Sequence, residues 1–146
     1  MELTVKQGIT IFKVKTVSEP LQTLPRPVRR AVIIDDQPAI CEVLSKMLIS
    51  LGYVVTIATD SRSSYIFDRE DSDINFLDVV MPISSGLKVI EQLARQKSKC
   101  AIVLMSGDFE RLNEAESYVV SLDLNLITAL EKPFKLQHIK FILQSA

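Results

Sequence analysis

Five short apolar runs separated by stretches of helical periodicity constrain this chain more than any other feature. The runs are Ala31–Ile34, Tyr53–Ala58, Ile74–Leu77, Ala101–Met105 and Leu124–Leu130. Most are rich in Val, Ile or Leu and show little strict alternation, which is how strands covered on both faces read. Between them, Ile40, Val43, Leu44, Met47, Leu48 and Leu51 fall on one helical face that Gly52 ends. Leu87, Ile90, Leu93 and Ala94 form a second stripe, Leu112, Ala115 and Val119 a third, and Leu136, Ile139, Ile142 and Leu143 a fourth. The segment Ser61–Glu70 is a weaker helix candidate. Strands alternating with helices imply parallel pairing through right-handed crossovers. The expected fold is α/β, a five-stranded parallel doubly wound (βα)5 sheet.

The first 30 residues follow a different pattern. Residues 18–30 read SEPLQTLPRPVRR, and their three prolines mark a linker. Before it, Lys6-Gln7-Gly8 separates two β-prone runs, so a hairpin or edge strand is expected there. A lone hairpin is marginal in water and needs something to dock on. The division is a 1–28 extension followed by a domain over 29–146.

Charge is unevenly shared between these parts. Residues 1–30 hold six Lys/Arg against two Glu, a balance of +4, and residues 31–146 hold 11 Lys/Arg against 16 Asp/Glu, a balance of −5. An acidic main domain argues against direct nucleic-acid binding. The basic leader reads as a solvated arm, or as a contact for an acidic partner. No apolar run is long enough to span a membrane, and Lys13 and Lys15 interrupt the one near the N-terminus, so the expectation is a cytoplasmic protein without a membrane role. The two cysteines, Cys41 and Cys100, read as buried thiols.

In a doubly wound sheet the functional site lies at the carboxyl ends of the strands. The first run is followed by Asp35-Asp36, the third by Asp78, the fourth by Ser106-Gly107 and the fifth by Lys132-Pro133 after one intervening residue. Each alone reads as a turn or a helix cap; together they describe one pocket. Crowded carboxylates repel unless a cation sits among them, and hard oxygen ligands favour Mg²⁺. A hydroxyl and an ammonium beside them suit a phosphoryl group. The single histidine, His138, lies away from these strand ends, which argues against a hydrolytic triad. A carboxylate nucleophile forming an aspartyl phosphate remains, and Asp78, ending the most central strand, is the candidate.

These residues carry a resemblance. Residues 29–146 are similar to the receiver domain of two-component response regulators, through AVIIDDQP (31–38), INFLDVVMPISSG (74–86), AIVLMSG (101–107) and LEKPF (130–134). The resemblance implies a flavodoxin-like fold, with Asp78 as phosphoacceptor for a sensor histidine kinase or phosphotransfer protein. It implies that Asp36 ligates Mg²⁺ directly, that Asp35 holds it through water, and that Asp78 and the Val80 backbone carbonyl complete the protein's share, with Mn²⁺ able to substitute. Lys132 would pair with Asp78 and then with the phosphoryl oxygens. Ser106 would turn inward to bind the phosphoryl group, with the Gly107 amide beside it, and a cis bond to Pro133 would aim Lys132. Self-catalysed phosphorylation and autodephosphorylation are implied, rather than conventional enzyme turnover.

Several positions depart from the commoner pattern. Ala129 stands at the switch position, three residues before the lysine, where an aromatic is usual, so the hydroxyl–aromatic coupling to Ser106 is missing. Ser85 replaces a frequent Asp before Gly86. Asp108 and Val80 occupy the positions that tune autodephosphorylation. The stretch 106–134 is similar to receivers that precede EAL phosphodiesterase domains; no such domain follows here, so a fragment or a stand-alone relative is expected. Tyr118 and Phe141, off their helical stripes, suit a partner or homodimer face, and His138 reads as a solvated surface residue. The downstream effector is not legible. The rival readings are a degenerate receiver that only docks, a phosphatase of the haloacid-dehalogenase type, which wants Asp where Val80 stands, and a nucleotide-binding module, which wants a glycine-rich loop after the first strand.

Overall fold

A computed structural model describes residues 2–6, 9–13, 28–59, 72–81 and 86–145, the first two segments through their backbone alone. Five strands run parallel: β3 (Arg29–Ile34), β4 (Tyr53–Ala58), β5 (Ile74–Asp78), β6 (Ala101–Ser106) and β7 (Leu126–Glu131). Their order is β4-β3-β5-β6-β7, so the strands that end in polar groups are contiguous, and the expected doubly wound α/β sheet is present. The weaker helix candidate Ser61–Glu70 lies outside the described residues.

The sheet is longer than five strands. β1 (Glu2–Lys6) and β2 (Ile9–Lys13) pair antiparallel from Glu2↔Lys13 to Lys6↔Ile9. β2 then pairs antiparallel with β4, from Ile9↔Ala58 to Phe12↔Val55, giving one seven-stranded sheet. The physical reason is reciprocal. β4 would otherwise present a row of unsatisfied backbone groups at the sheet edge, and the hairpin needs a neighbour to be stable.

Four described helices cover the sheet: α1 (Pro38–Ser50), α2 (Gly86–Arg95), α3 (Phe109–Ser121) and α4 (Leu136–Ser145). None is long and apolar enough to cross a membrane. Alternate residues of the central strands feed two cores. Val32, Ile34, Leu77 and Leu104 pack with Val89, Ile90, Leu93, Leu112, Ala115 and Val119 on the α2–α3 side. Ile33, Phe76, Val103 and Met105 pack with Leu44, Leu48, Ile139 and Ile142 on the α1–α4 side. Both strand faces are therefore dry, which explains the apolar runs without alternation.

The third stripe is buried as expected, and each of the others is largely buried with one exposed member. α1 buries Cys41, Leu44, Ser45 and Leu48 and leaves Val43 48% exposed. Ser45 can sit inside because its hydroxyl donates to the Glu42 carbonyl at 2.9 Å, which satisfies it locally. α2 buries Gly86, Val89, Ile90 and Leu93, and Leu87 is exposed instead of leading the stripe. In α4, Ile139 and Ile142 are buried and Leu136 is exposed. The inward faces of α1 and α2 include the small residues Cys41, Ser45 and Gly86, which a count of large apolar side chains misses. Gly52 ends α1 with φ +92°, the left-handed turn that glycine favours.

Candidate functional site

The pocket is assembled by where the strands stop. β3 delivers Asp35 and Asp36, β5 ends on Asp78, β6 ends on Ser106, and the turn after β7 carries Lys132. Backbone bonds between neighbours fix these ends in register: the Asp35 N–H donates to Ala58 O at 3.1 Å, Val79 N–H to Met105 O at 3.0 Å and Lys132 N–H to Ser106 O at 2.9 Å. A register shift between Ile102 and Val103 sets the last of these. Ile102 pairs with Leu126, but Val103 pairs with Thr128, so β7 carries one extra residue and Ser106 comes level with Glu131. The Lys132–Pro133 bond is cis.

Asp35, Asp36 and Asp78 offer carboxylate oxygens that all lie within 4.8 Å of one another. Asp35 is fully buried and Asp78 is 3% exposed. Each first finds a local donor, the Gln37 N–H to Asp35 Oδ1 at 2.9 Å and the Val80 N–H to Asp78 Oδ1 at 3.0 Å. Among the described residues, one ammonium serves the group. Lys132 Nζ lies 2.6 Å from Asp35 Oδ2, 3.5 Å from Asp78 Oδ2 and 3.3 Å from Gln37 Oε1. Lys132 thus sits between the acids, closer to Asp35 than to the Asp78 partner the sequence suggested. Asp35 is the more deeply buried acid.

Burial pushes the Asp78 carboxyl up from its ordinary 3.8 to about 6; the Val80 N–H and Lys132 oppose this, and the charges of Asp35 and Asp36 add to it. Three acids facing one ammonium leave an excess of negative charge that a divalent cation with oxygen ligands would offset, so the residues present fit Mg²⁺. Behind the acids, Cys41 Sγ lies 3.2 Å from the Asp35 carbonyl. Burial, and then the charge of Asp35, pushes that thiol up to about 12, so it stays protonated. Cys100 is also a free thiol, raised by burial.

A cleft of about 390 Å³ opens over Asp78, with Val80, Ser106, Gly107, Asp108 and Lys132 on its other walls. Ser106 Oγ, buried, accepts the Asp108 N–H at 2.9 Å, and Asp108 Oδ1 accepts the Arg111 N–H at 3.2 Å, capping α3. Ala129 is not in the cleft wall; it is half-buried against the α2–α3 core. Ser85 lies outside the described residues.

Two residues inside the quoted motifs have contacts at the site that the motifs did not assign them. A Cβ on Gly86 would fall 2.6 Å from the Asp78 carbonyl oxygen and 3.0 Å from Val79 Cα, so α2 starts pressed against the backbone of the acid. Gln37 follows the acidic pair and reaches Lys132. Among the outlying residues, Tyr118 is half-buried on the core and its hydroxyl donates to Glu91 at 3.2 Å, so it is no free aromatic, whereas Phe141 is 71% exposed. His138 is exposed as expected, and its Nδ1 accepts the Lys135 N–H at 3.0 Å before α4.

Strand order, acid cluster and lysine together define a class, and comparison with known families agrees. The response regulator receiver domain family matches residues 31–144, and the chain belongs to that family. Among curated relatives it is 28% identical over 104 residues to the sensory transduction protein RegX3 of Mycobacterium tuberculosis, covering 70% of this chain and 44% of that protein. It is 29% identical over 106 residues to the probable transcriptional regulator ycf27 of Galdieria sulphuraria, covering 72% of this chain and 40% of that one. The chain thus spans less than half the length of these relatives. A response regulator from Colwellia psychrerythraea superposes with a TM-score of 0.70 at 29% identity, over 80% of this chain and 95% of that one. The response regulator TrrA of Thermotoga maritima, solved in complex with Mg²⁺-BeF, shares the fold with a TM-score of 0.68 at 24% identity, over 80% of this chain and 97% of that one.

Proposed function

We propose that this receiver domain takes a phosphoryl group onto Asp78 from a phosphohistidine of a sensor histidine kinase or phosphotransfer protein. The observation that carries the reading is the convergence of Asp35, Asp36, Asp78 and Lys132 at one edge of the sheet, beside an open cleft. An Asp78 carboxylate oxygen attacks phosphorus as the phosphorus–nitrogen bond breaks, and the bonding pair returns to the imidazole nitrogen. Lys132 offsets charge on the phosphoryl oxygens, the Ser106 hydroxyl donates to one of them, and the Gly107 amide stands beside it. Asp35, Asp36 and Asp78, with the Val80 carbonyl, would hold Mg²⁺, or Mn²⁺ through the same oxygens. When bound, the ion supplies positive charge against that of the transferring group. Asp108 and Val80 flank the path by which water reaches phosphorus and so tune autodephosphorylation.

Residues 29–146 form the receiver unit in this reading and residues 1–28 an extension of it. The reaction belongs in the cytoplasm. Output runs through protein contact, because a new dianionic group that draws Ser106 Oγ inward takes it from the Asp108 N–H at the start of α3. Phe141 offers a contact for an effector or a second copy.

The test is incubation with acetyl phosphate or phosphoramidate and Mg²⁺, followed by intact mass. The expected result is a gain of one phosphoryl that Asp78→Asn abolishes. No gain, with Mg²⁺ still bound, would make the domain a docking module, and turnover of a small phosphate ester without mass gain would make it a phosphatase.

A further inference from the structure

We infer that Gln37 is a positioning residue for Lys132, its side-chain amide holding the ammonium over the acids and so setting how fast Asp78 is phosphorylated. The inference rests on the phosphoacceptor reading above.

Gln37 occupies the position that begins α1, with extended backbone at φ −92° and ψ 107°. Ser, Thr, Asp and Asn are favoured there because a short side chain accepts a free N–H of the first turn. Gln37 makes no such bond, and Pro38 follows at the first helical position. The side chain is therefore not used for capping. Its Oε1 instead accepts from Lys132 Nζ at 3.3 Å, across 95 residues of sequence. The origin of that reach is fixed, since the Gln37 N–H donates to Asp35 Oδ1 at 2.9 Å. Backbone and side chain of one residue thus tie an acid and the lysine together.

The three partners of the ammonium differ in what the reaction asks of them. Asp35 Oδ2 at 2.6 Å and Asp78 Oδ2 at 3.5 Å are charged, and both are called on by the cation or the phosphoryl group. Gln37 is neutral and has neither duty, so its acceptor stays with Lys132 when the carboxylates are engaged. Without it, the ammonium keeps, among the described residues, only the two contacts that the reaction disturbs. Gln37 also lines the cleft beside Asp78 and Ser106, where the phosphoryl group would enter. Because Gln37 is solvent-exposed, water competes for both groups, and the effect is moderate.

The experiment compares the wild-type chain with Gln37→Met, which keeps the length of the side chain and removes the acceptor. Intact mass follows phosphorylation by phosphoramidate at saturating Mg²⁺, and ¹⁵N NMR follows the Lys132 ammonium, assigned by its loss in Lys132→Ala. Gln37→Met should slow phosphorylation roughly three- to tenfold, the range of one hydrogen bond to a charged group partly shared with water. Its melting temperature and Mg²⁺ affinity should match the wild type, and the Lys132 nitrogen shift and proton-exchange rate should change. An unchanged rate overturns the inference alone. A slower rate with an unchanged ammonium signal also overturns it, because the effect would not pass through Lys132. A wild-type chain that takes up no phosphoryl overturns the phosphoacceptor reading, and this inference with it.

Discussion

Asp78 is held in a setting that disfavours its own charge. Burial and two neighbouring acids raise its carboxyl to about 6 against an ordinary 3.8, so between those values the folded chain keeps a proton that the unfolded chain has released. Folding of the metal-free protein is therefore weakened by this group as pH rises from 4 to 6, and the loss is complete above. Asp78→Asn should accordingly melt higher than the wild type at pH 7 without metal, with the gap closing towards pH 4; equal melting at both pH values would contradict the assignment. The same proton competes with a cation. Mg²⁺ affinity measured by calorimetry should fall below pH 6, by about tenfold at one unit under the carboxyl's own value. Gly86 is a second residue whose role is local. The contact that a Cβ would make is with backbone, which has little room to yield, so Gly86→Ala should push α2 away from Asp78. The expected cost is about 1–3 kcal/mol of stability, read by urea unfolding, together with slower phosphorylation.

Among the elements, the N-terminal hairpin has the least expected position. It adds two antiparallel strands to the free side of β4, and this satisfies an edge that a five-stranded sheet would leave open. Removing residues 1–13 should leave a folded receiver with a lower melting temperature and a greater tendency to associate, read by calorimetry and sedimentation. A truncated chain with the melting point and monomer content of the parent would show that the hairpin contributes nothing to the edge. The helices teach a related lesson. α1 turns Cys41 and Ser45 inward and Val43 outward, because a small thiol and a self-satisfied hydroxyl let the helix lie close to the sheet. Hydrophobic periodicity located the helix and most of its inward face, Leu44 and Leu48 included, but counted Val43 in that face and left out Cys41 and Ser45. α3, whose inward residues Leu112, Ala115 and Val119 leave no choice between faces, was read correctly.

At the scale of the whole molecule, the amino-acid sequence by itself determined the succession of strands and helices and the chemistry at the strand ends. Runs such as Ala31–Ile34 can be dry on both faces only in a covered sheet, and the polar residues that end them must gather at one edge of it. Asp35, Asp36, Asp78, Ser106 and Lys132 were legible for that reason, since each is the first polar group after a buried strand, or one residue beyond it. What only the tertiary structure decided are relations between residues far apart in the chain. The closer approach of Lys132 to Asp35 than to Asp78 depends on how deep each acid lies once the strands are in register. The reach of Gln37 to Lys132, the pressure of Gly86 on Asp78 and the docking of β2 on β4 likewise depend on distances set by packing. Local pattern encodes whether a side chain is buried, because burial follows from period and polarity; it does not encode which partner that side chain meets, because partners are chosen by the register of strands and the rotation of helices once the core has closed.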